Sequence, residues 1–152
     1  MKKAEDGAKG TLVTGVIGED VHIIGIRIAE HALREAGFHI VSLGAQVPQE
    51  EFIEAAVETN ADAILVSSLG GHAQILIPGL RDKCEEAGLK HILIYLGGQL
   101  IIGHSNWEDT EKVFKEMGVD RVYPPNVKLS QVVTDLETDC QRRKALLASS
   151  AS

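Results

Sequence analysis

Asp20 and His22 stand two residues apart, with Gly25 three further on, directly after the first apolar run of the chain, Thr11 to Ile17. An imidazole that binds a metal usually passes its second ring N–H to a carboxylate or carbonyl, which holds its tautomer and strengthens it as a donor. The Asp20-x-His22 spacing suits such a pair, although Asp20 also reads as an N-cap for a helix beginning near His22. Gly25 lets a bulky group approach the backbone where that helix starts. Two further clusters follow later apolar runs: Ser67-Ser68-Leu69-Gly70-Gly71-His72 and Gly97-Gly98-Gln99. Ser67 offers a short hydroxyl that both donates and accepts, and the glycines remove side chains from the rim. The combination describes a deep slot with polar contacts at its wall and a metal-ready histidine at its mouth. His72 and His104 do not complete a zinc site with His22, because no C-x-x-C or H-x-x-x-H spacing supports one. The pattern suits a large cofactor that brings its own metal and a long appendage.

The elements that must hold these clusters alternate along the chain. Strands are expected at Leu12 to Ile17, His39 to Leu43, Ala63 to Ser67, His91 to Leu96 and Arg121 to Tyr123. Helices are expected from Ile24 to Ala36, from Pro48 to Thr59, from Gln74 to Ala87, from Glu108 to Met117 and from Leu129 to about Arg142. Apolar residues at helical spacing and a following Gly37, Gly88 or Gly118 mark three of these helices. Five alternating units predict an α/β fold with a doubly wound, five-stranded parallel sheet in the order 2-1-3-4-5. In that order ligands bind outside the carboxyl ends of strands one and three. The three clusters all follow strand ends at that edge.

The 152 residues fit one domain, and 44% hydrophobic content is enough for a sizeable core. The formal charge of -7 lacks the basic face that nucleic-acid binding needs. Cys84 and Cys140 form neither a disulfide framework nor a zinc cluster; both lie on apolar helix stripes and read as core thiols. Met1 to Gly10 is charged and no apolar stretch is long enough for a bilayer, so neither a secretory leader nor a membrane span is expected, and the cytoplasm is the default compartment. Residues 1–10 are expected to be a flexible extension, 11–143 the domain and 144–152 a disordered tail.

The D-x-H-x-x-G, S-x-L and Gly-Gly motifs on successive strand ends resemble the cobalamin-binding domains that hold their cofactor with the lower base detached. The closer likeness is to the small subunits of adenosylcobalamin-dependent carbon-skeleton mutases of the glutamate mutase type. Gly15-Val16-Ile17-Gly18-x-Asp20-x-His22, Val66-Ser67-Ser68-Leu69, Gly97-Gly98 with Ile101-x-Gly103, Asn106-Trp107-x-Asp109 and Phe114-Lys115-x-Met117-Gly118-x-Asp120-Arg121-Val122-Tyr123-Pro124-Pro125 carry it. It extends over about Thr11 to Leu136. Asn126-Val127 stand where that family usually has Gly-Thr, Gln99 where it has Asn, and Gly70 where Tyr is common.

The resemblance implies a flavodoxin-like, Rossmann-like cobalamin-binding fold. It implies that His22 is the lower axial ligand of cobalt, that Asp20 hydrogen-bonds His22, and that Ser67 with Leu69 contacts the displaced benzimidazole. Cofactor contacts are expected from Asp20, Val21, His22, Ile23 and Gly25; from Ser67, Ser68, Leu69 and Gly71; from Gly97, Gly98, Gln99, Leu100, Ile101, Ile102 and Gly103; and from Pro125 and Asn126. No residue is expected to act as acid, base or nucleophile. Substrate would bind to a separate large barrel subunit, with adenosylcobalamin between the two, and the chain alone would be inactive. Two rivals are the small subunit of an acyl-CoA mutase and a non-catalytic corrinoid carrier or sensor. The first usually shows D-G-H-D-R-G, whereas Val21, Ile23 and Ile24 are apolar here. The second usually carries a helical bundle before this fold, which the ten residues ahead of strand one do not supply.

Overall fold

A computed structural model describes residues 9–18, 24–69, 73–100 and 106–151. Among them are five strands, β1 (Thr11–Val16), β2 (His39–Ser42), β3 (Ala63–Leu69), β4 (Leu93–Gln99) and β5 (Arg121–Tyr123). Six helices accompany them: α1 (Ile24–Glu35), α2 (Gln49–Thr59), α3 (Ala73–Leu76), α4 (Leu80–Glu86), α5 (Trp107–Glu116) and α6 (Leu129–Ala151). The sheet is parallel throughout, in the order β2-β1-β3-β4-β5. This is the topology expected from the alternating pattern.

Burial on both faces explains why β1 is apolar without alternation: all six of its residues are buried. Side chains from alternate positions feed two cores. On one face Val13, Ile64, Val66, Ile94 and Leu96 meet Phe52 of α2, Leu80 of α4 and Phe114 of α5. On the other, Leu12, Ala63, Leu65 and Tyr95 meet Leu33 of α1 and Val132, Leu136 and Cys140 of α6. Ser67 and Gly97 share the parity of Leu65 and Tyr95, so they face α1 and α6. Ser68 and Gly98 face the opposite way.

Several expected boundaries shift, among them the start of β4, which is Leu93 rather than His91. The helix foreseen from Gln74 to Ala87 is two, because Pro78 cannot donate a backbone hydrogen bond and Gly79 takes φ +88° ahead of α4. β3 and β4 run on to Leu69 and Gln99, since their backbones keep pairing through Ser67↔Gly97, Ser68↔Gly98 and Leu69↔Gln99. Ladder bonds between two interior strands override the weak strand propensity of Ser and Gly. Finally, α6 does not end near Arg142 but continues to Ala151. Ala145, Leu146, Leu147 and Ala148 are good helix formers, and Arg143 is 7% exposed rather than solvated.

Polar ties fasten α6 to the sheet. Arg143 donates to Asp62 (2.9 Å) and to the carbonyls of His91 (3.1 Å) and Lys90 (3.2 Å), while Asp62 also accepts from the Thr11 amide (2.9 Å). Asp139 accepts from the Tyr95 hydroxyl and from two nitrogens of Arg121, and Asp135 accepts from Tyr123 (2.6 Å) and Gln131 (2.9 Å). Burial pushes the Asp139 carboxyl up, but the bonds from Arg121 and Tyr95 outweigh it and hold the group below its ordinary value. Asp139 therefore adds stability above the unfolded carboxyl value of about 4, and that stability is lost as pH falls through its lower folded value. Asp139→Ala should destabilise the fold by about 2–3 kcal/mol at pH 7, less than the full penalty for a broken buried pair because Arg121 is partly exposed. Urea unfolding at pH 7 and pH 3 checks this, and the deficit should shrink at the lower pH.

Candidate functional site

The carboxyl ends of the strands form the edge where the chemistry-bearing clusters gather. One row of the sheet register crosses Val16, Ser67, Gly97 and Tyr123. All four face α1 and α6, by the alternation that directs Leu65 and Tyr95 there. Above this row lies a cavity of about 560 Å3. Its floor is Ser67, Gly97, Leu65 and the rings of Tyr95 and Tyr123. The first turns of α1 make one wall, through Gly25, Ile26, Ile28 and Ala29. The turn after β5 and the start of α6 make the other, through Pro124, Pro125, Val127, Leu129 and Val132.

The cavity is apolar in a specific way. Among the described residues no charged side chain lines it, and its polar side chains are Ser67, Tyr95 and Tyr123. Both tyrosines turn their hydroxyls away, to Asp139 and Asp135 of α6. Burial, then these bonds, push both phenols far above their ordinary value, so they stay neutral donors. The rings, 5.7 Å apart between centroids, thus present carbon to the cavity. Ser67 is left as the half-buried polar handle on the floor.

The two adjacent glycines of β4 do different work. A methyl group on Gly97 would meet nothing nearer than Tyr123 Cβ at 4.0 Å, so the space above Gly97 is open. A methyl on Gly98 would lie 2.1 Å from the carbonyl oxygen of Ser68, and Gly98 has φ +118°. Gly98 serves the close passage of β4 past β3, while Gly97 keeps the slot clear. An open slot with no charged lining among the described residues, an aromatic floor, a hydroxyl and a side-chain-free strip fits a flat heterocycle on a tail.

The structure brings together Gly25, Ser67, Gly97, Gly98 and Pro125 from the residues expected at the site. Ser68 is buried on the far face, and Leu100 packs into the core beside α2, α4 and α5. Asn126 is exposed and is not part of the lining, which its neighbours Pro125 and Val127 supply. Leu69 and Gln99 end their strands, with side chains outside the described set. Asp20, Val21, His22, Ile23, Gly71, Ile101, Ile102 and Gly103 lie outside the described residues. The chain between Gly18 and Ile24, which holds Asp20 and His22, joins the carboxyl end of β1 to the helix that walls the cavity. Sequence reasoning missed Tyr95, Tyr123, Ile26, Ala29, Val127 and Val132. Tyr95 had a signal, since counting back two from Gly97 reaches it on the same face.

The B12-binding domain family matches residues 10–120. The chain is 52% identical over 131 residues to the glutamate mutase sigma subunit of Clostridium tetani, covering 86% of this chain and 96% of that protein. It is equally similar, with the same coverage, to the glutamate mutase sigma subunit of Clostridium cochlearium. In fold it is similar to a cobalamin-binding protein from Desulfitobacterium hafniense, with TM-score 0.66 and 24% identity over 88% of this chain and 58% of that one. From the matched domain and these relatives together, the chain belongs to the B12-binding family and, within it, to the glutamate mutase sigma subunits.

Proposed function

We propose that the chain is the cobalamin-holding subunit of an adenosylcobalamin-dependent isomerase that interconverts glutamate and 3-methylaspartate. The observation that carries this reading is the apolar slot beside Ser67 and Gly97, at the carboxyl edge of the sheet, where parallel sheets of this order take their ligands, in a chain that matches the B12-binding domain. A sigma subunit implies a larger partner subunit. We place substrate on that partner, in a barrel, with the chain inactive alone. The acyl-CoA mutase and carrier readings lose ground to relatives at 52% identity over nearly their full length. No helix among the described residues is long and apolar enough to cross a membrane, and a cytoplasmic protein without nucleic-acid or membrane partners is the reading we favour.

When bound, adenosylcobalamin supplies the radical chemistry through its cobalt–carbon bond. The residues of this chain bind, orient and exclude. His22 would ligate the cobalt, with Asp20 accepting its other ring N–H. The Ser67 hydroxyl would meet the detached base, and Gly97 leaves room for it. Ile26, Ala29 and the rings of Tyr95 and Tyr123 would exclude water from the tail.

The cob(II)alamin form on this protein should show nitrogen superhyperfine coupling in its electron paramagnetic resonance spectrum, and His22→Ala should lose it. Coupling that survives in His22→Ala would sink the assignment. Asp20→Asn should keep the fold but weaken cobalamin binding about 10- to 100-fold, as loss of such an outer partner typically does. A titration indistinguishable from the parent's would dismiss the pairing.

A further inference from the structure

A second cavity, of about 520 Å3, opens at the opposite edge of the sheet, under the amino-terminal ends of β4 and β5. α4, α5 and the last turns of α6 enclose it. Its charge runs against that of the chain, which is -7 overall. Arg81, Lys115, Arg121, Arg142 and Arg143 face it, against Glu85, Asp120 and Asp139. Three of these cations form a rigid frame. Arg81 donates to the carbonyls of Gly118 (3.0 Å) and Ile92 (2.7 Å) and to Asp120 (2.5 Å). Arg143 is tied to Asp62 and two carbonyls, and Arg121 to Asp139.

The two cations at the rim differ. The carboxylate beside Arg142 is Asp139 at 3.9 Å, and Asp139 is already bonded to Arg121 and Tyr95. The carboxylate beside Lys115 is Glu111 at 3.6 Å. Both separations exceed a hydrogen bond, and exposed pairs of this kind contribute little. The half-exposed Leu146 adjoins them, over the buried Ile92 and Val119.

We propose that this cavity binds a phosphorylated small molecule of about nucleotide size. Lys115 and Arg142 hold its phosphates at the rim, and its remaining portion lies beside Leu146. The volume falls within the roughly 300–1,000 Å3 common for small-molecule sites. Arginine forks and lysine point charges are the usual partners of phosphate oxygens. α6 lies beyond residues 10–120, so the site combines the family fold with a helix outside the matched domain. It is separate from the slot beside Ser67 and Gly97, which has no charged lining among the described residues.

Titration of the 15N-labelled full chain with ATP, pyrophosphate and adenosine, at about 0.15 M salt, tests the proposal. ATP and pyrophosphate should shift the amides of 91–93, 118–121 and 142–146 saturably, and adenosine alone should shift them little. Lys115→Gln combined with Arg142→Gln should weaken ATP binding about tenfold or more, roughly the loss of one to two charge-assisted bonds. Thermal stability and cobalamin affinity should match the parent. Shifts spread evenly over the surface lysines and arginines, or a double variant that binds ATP as the parent does, would overturn it.

Discussion

Gly97→Leu should leave the protein folded and abolish cobalamin binding. Gly97 is not among the residues with positive φ, so its backbone accepts any side chain. A Cβ there has no neighbour closer than 4.0 Å, and the remaining atoms of leucine extend into the 560 Å3 cavity. The surroundings are Ile26, Leu65, Tyr95 and Val132, so an added apolar side chain would bury surface rather than clash. At about 25 cal/mol per Å2 of buried apolar area, that change is neutral to favourable for stability. The same atoms would occupy the volume assigned to the detached base and its tail. We expect cobalamin affinity to fall at least ~100-fold in Gly97→Leu and about tenfold in Gly97→Ala, a graded steric series worth ~1.4 kcal/mol per decade. Equilibrium titration followed by visible absorbance, alongside thermal melts, measures both. Binding by Gly97→Leu at parental affinity would move the tail out of this slot.

The sheet was legible because its three interior strands are rich in Val, Ile and Leu and the number and spacing of the units leave few topologies. The lining of the slot was legible only in part. Ser67 and Ser68 look equivalent in a list of residues, but strand alternation sends one to the cavity and the other to the opposite core. Leu100 follows the Gly97-Gly98 pair and so read as a contact, yet it is one of the most buried side chains of the other face. Of the second wall only Pro125 was expected. Val127, Leu129 and Val132 reach the slot only because β5 sits next to β4 and passes the chain to α6. Pro78-Gly79 was a plain break in the third helical stretch, masked by the apolar periodicity of Leu76, Leu80 and Cys84. The run Arg142-Arg143-Lys144 stood at the expected end of the last helix. Arg143 is instead tied to Asp62 on the sheet, and the helix continues past it.

Gly98→Ala, one residue from the tolerant position, should be among the most damaging single-methyl changes in the domain. The added carbon would lie 2.1 Å from the Ser68 carbonyl oxygen and 3.2 Å from its carbonyl carbon. Both are backbone atoms of β3, an interior strand paired on both sides, so neither can rotate away as a side chain would. The φ of +118° adds strain that glycine alone avoids. Such a backbone conformation costs about 1–3 kcal/mol for other residues, and relieving the contact means parting β3 from β4 at the Ser68–Gly98 rung. We expect a loss of about 3 kcal/mol or more, against a total stability of roughly 5–15 kcal/mol for a domain. In a chain of this size that corresponds to a Tm lower by roughly 6–12 °C. Gly97→Ala in parallel should melt close to the parent. The ordering of the two variants is the decisive result. If Gly98→Ala melts with the parent while Gly97→Ala unfolds early, the division between a glycine kept for the strand pair and a glycine kept for the ligand is the reverse of the one the geometry gives.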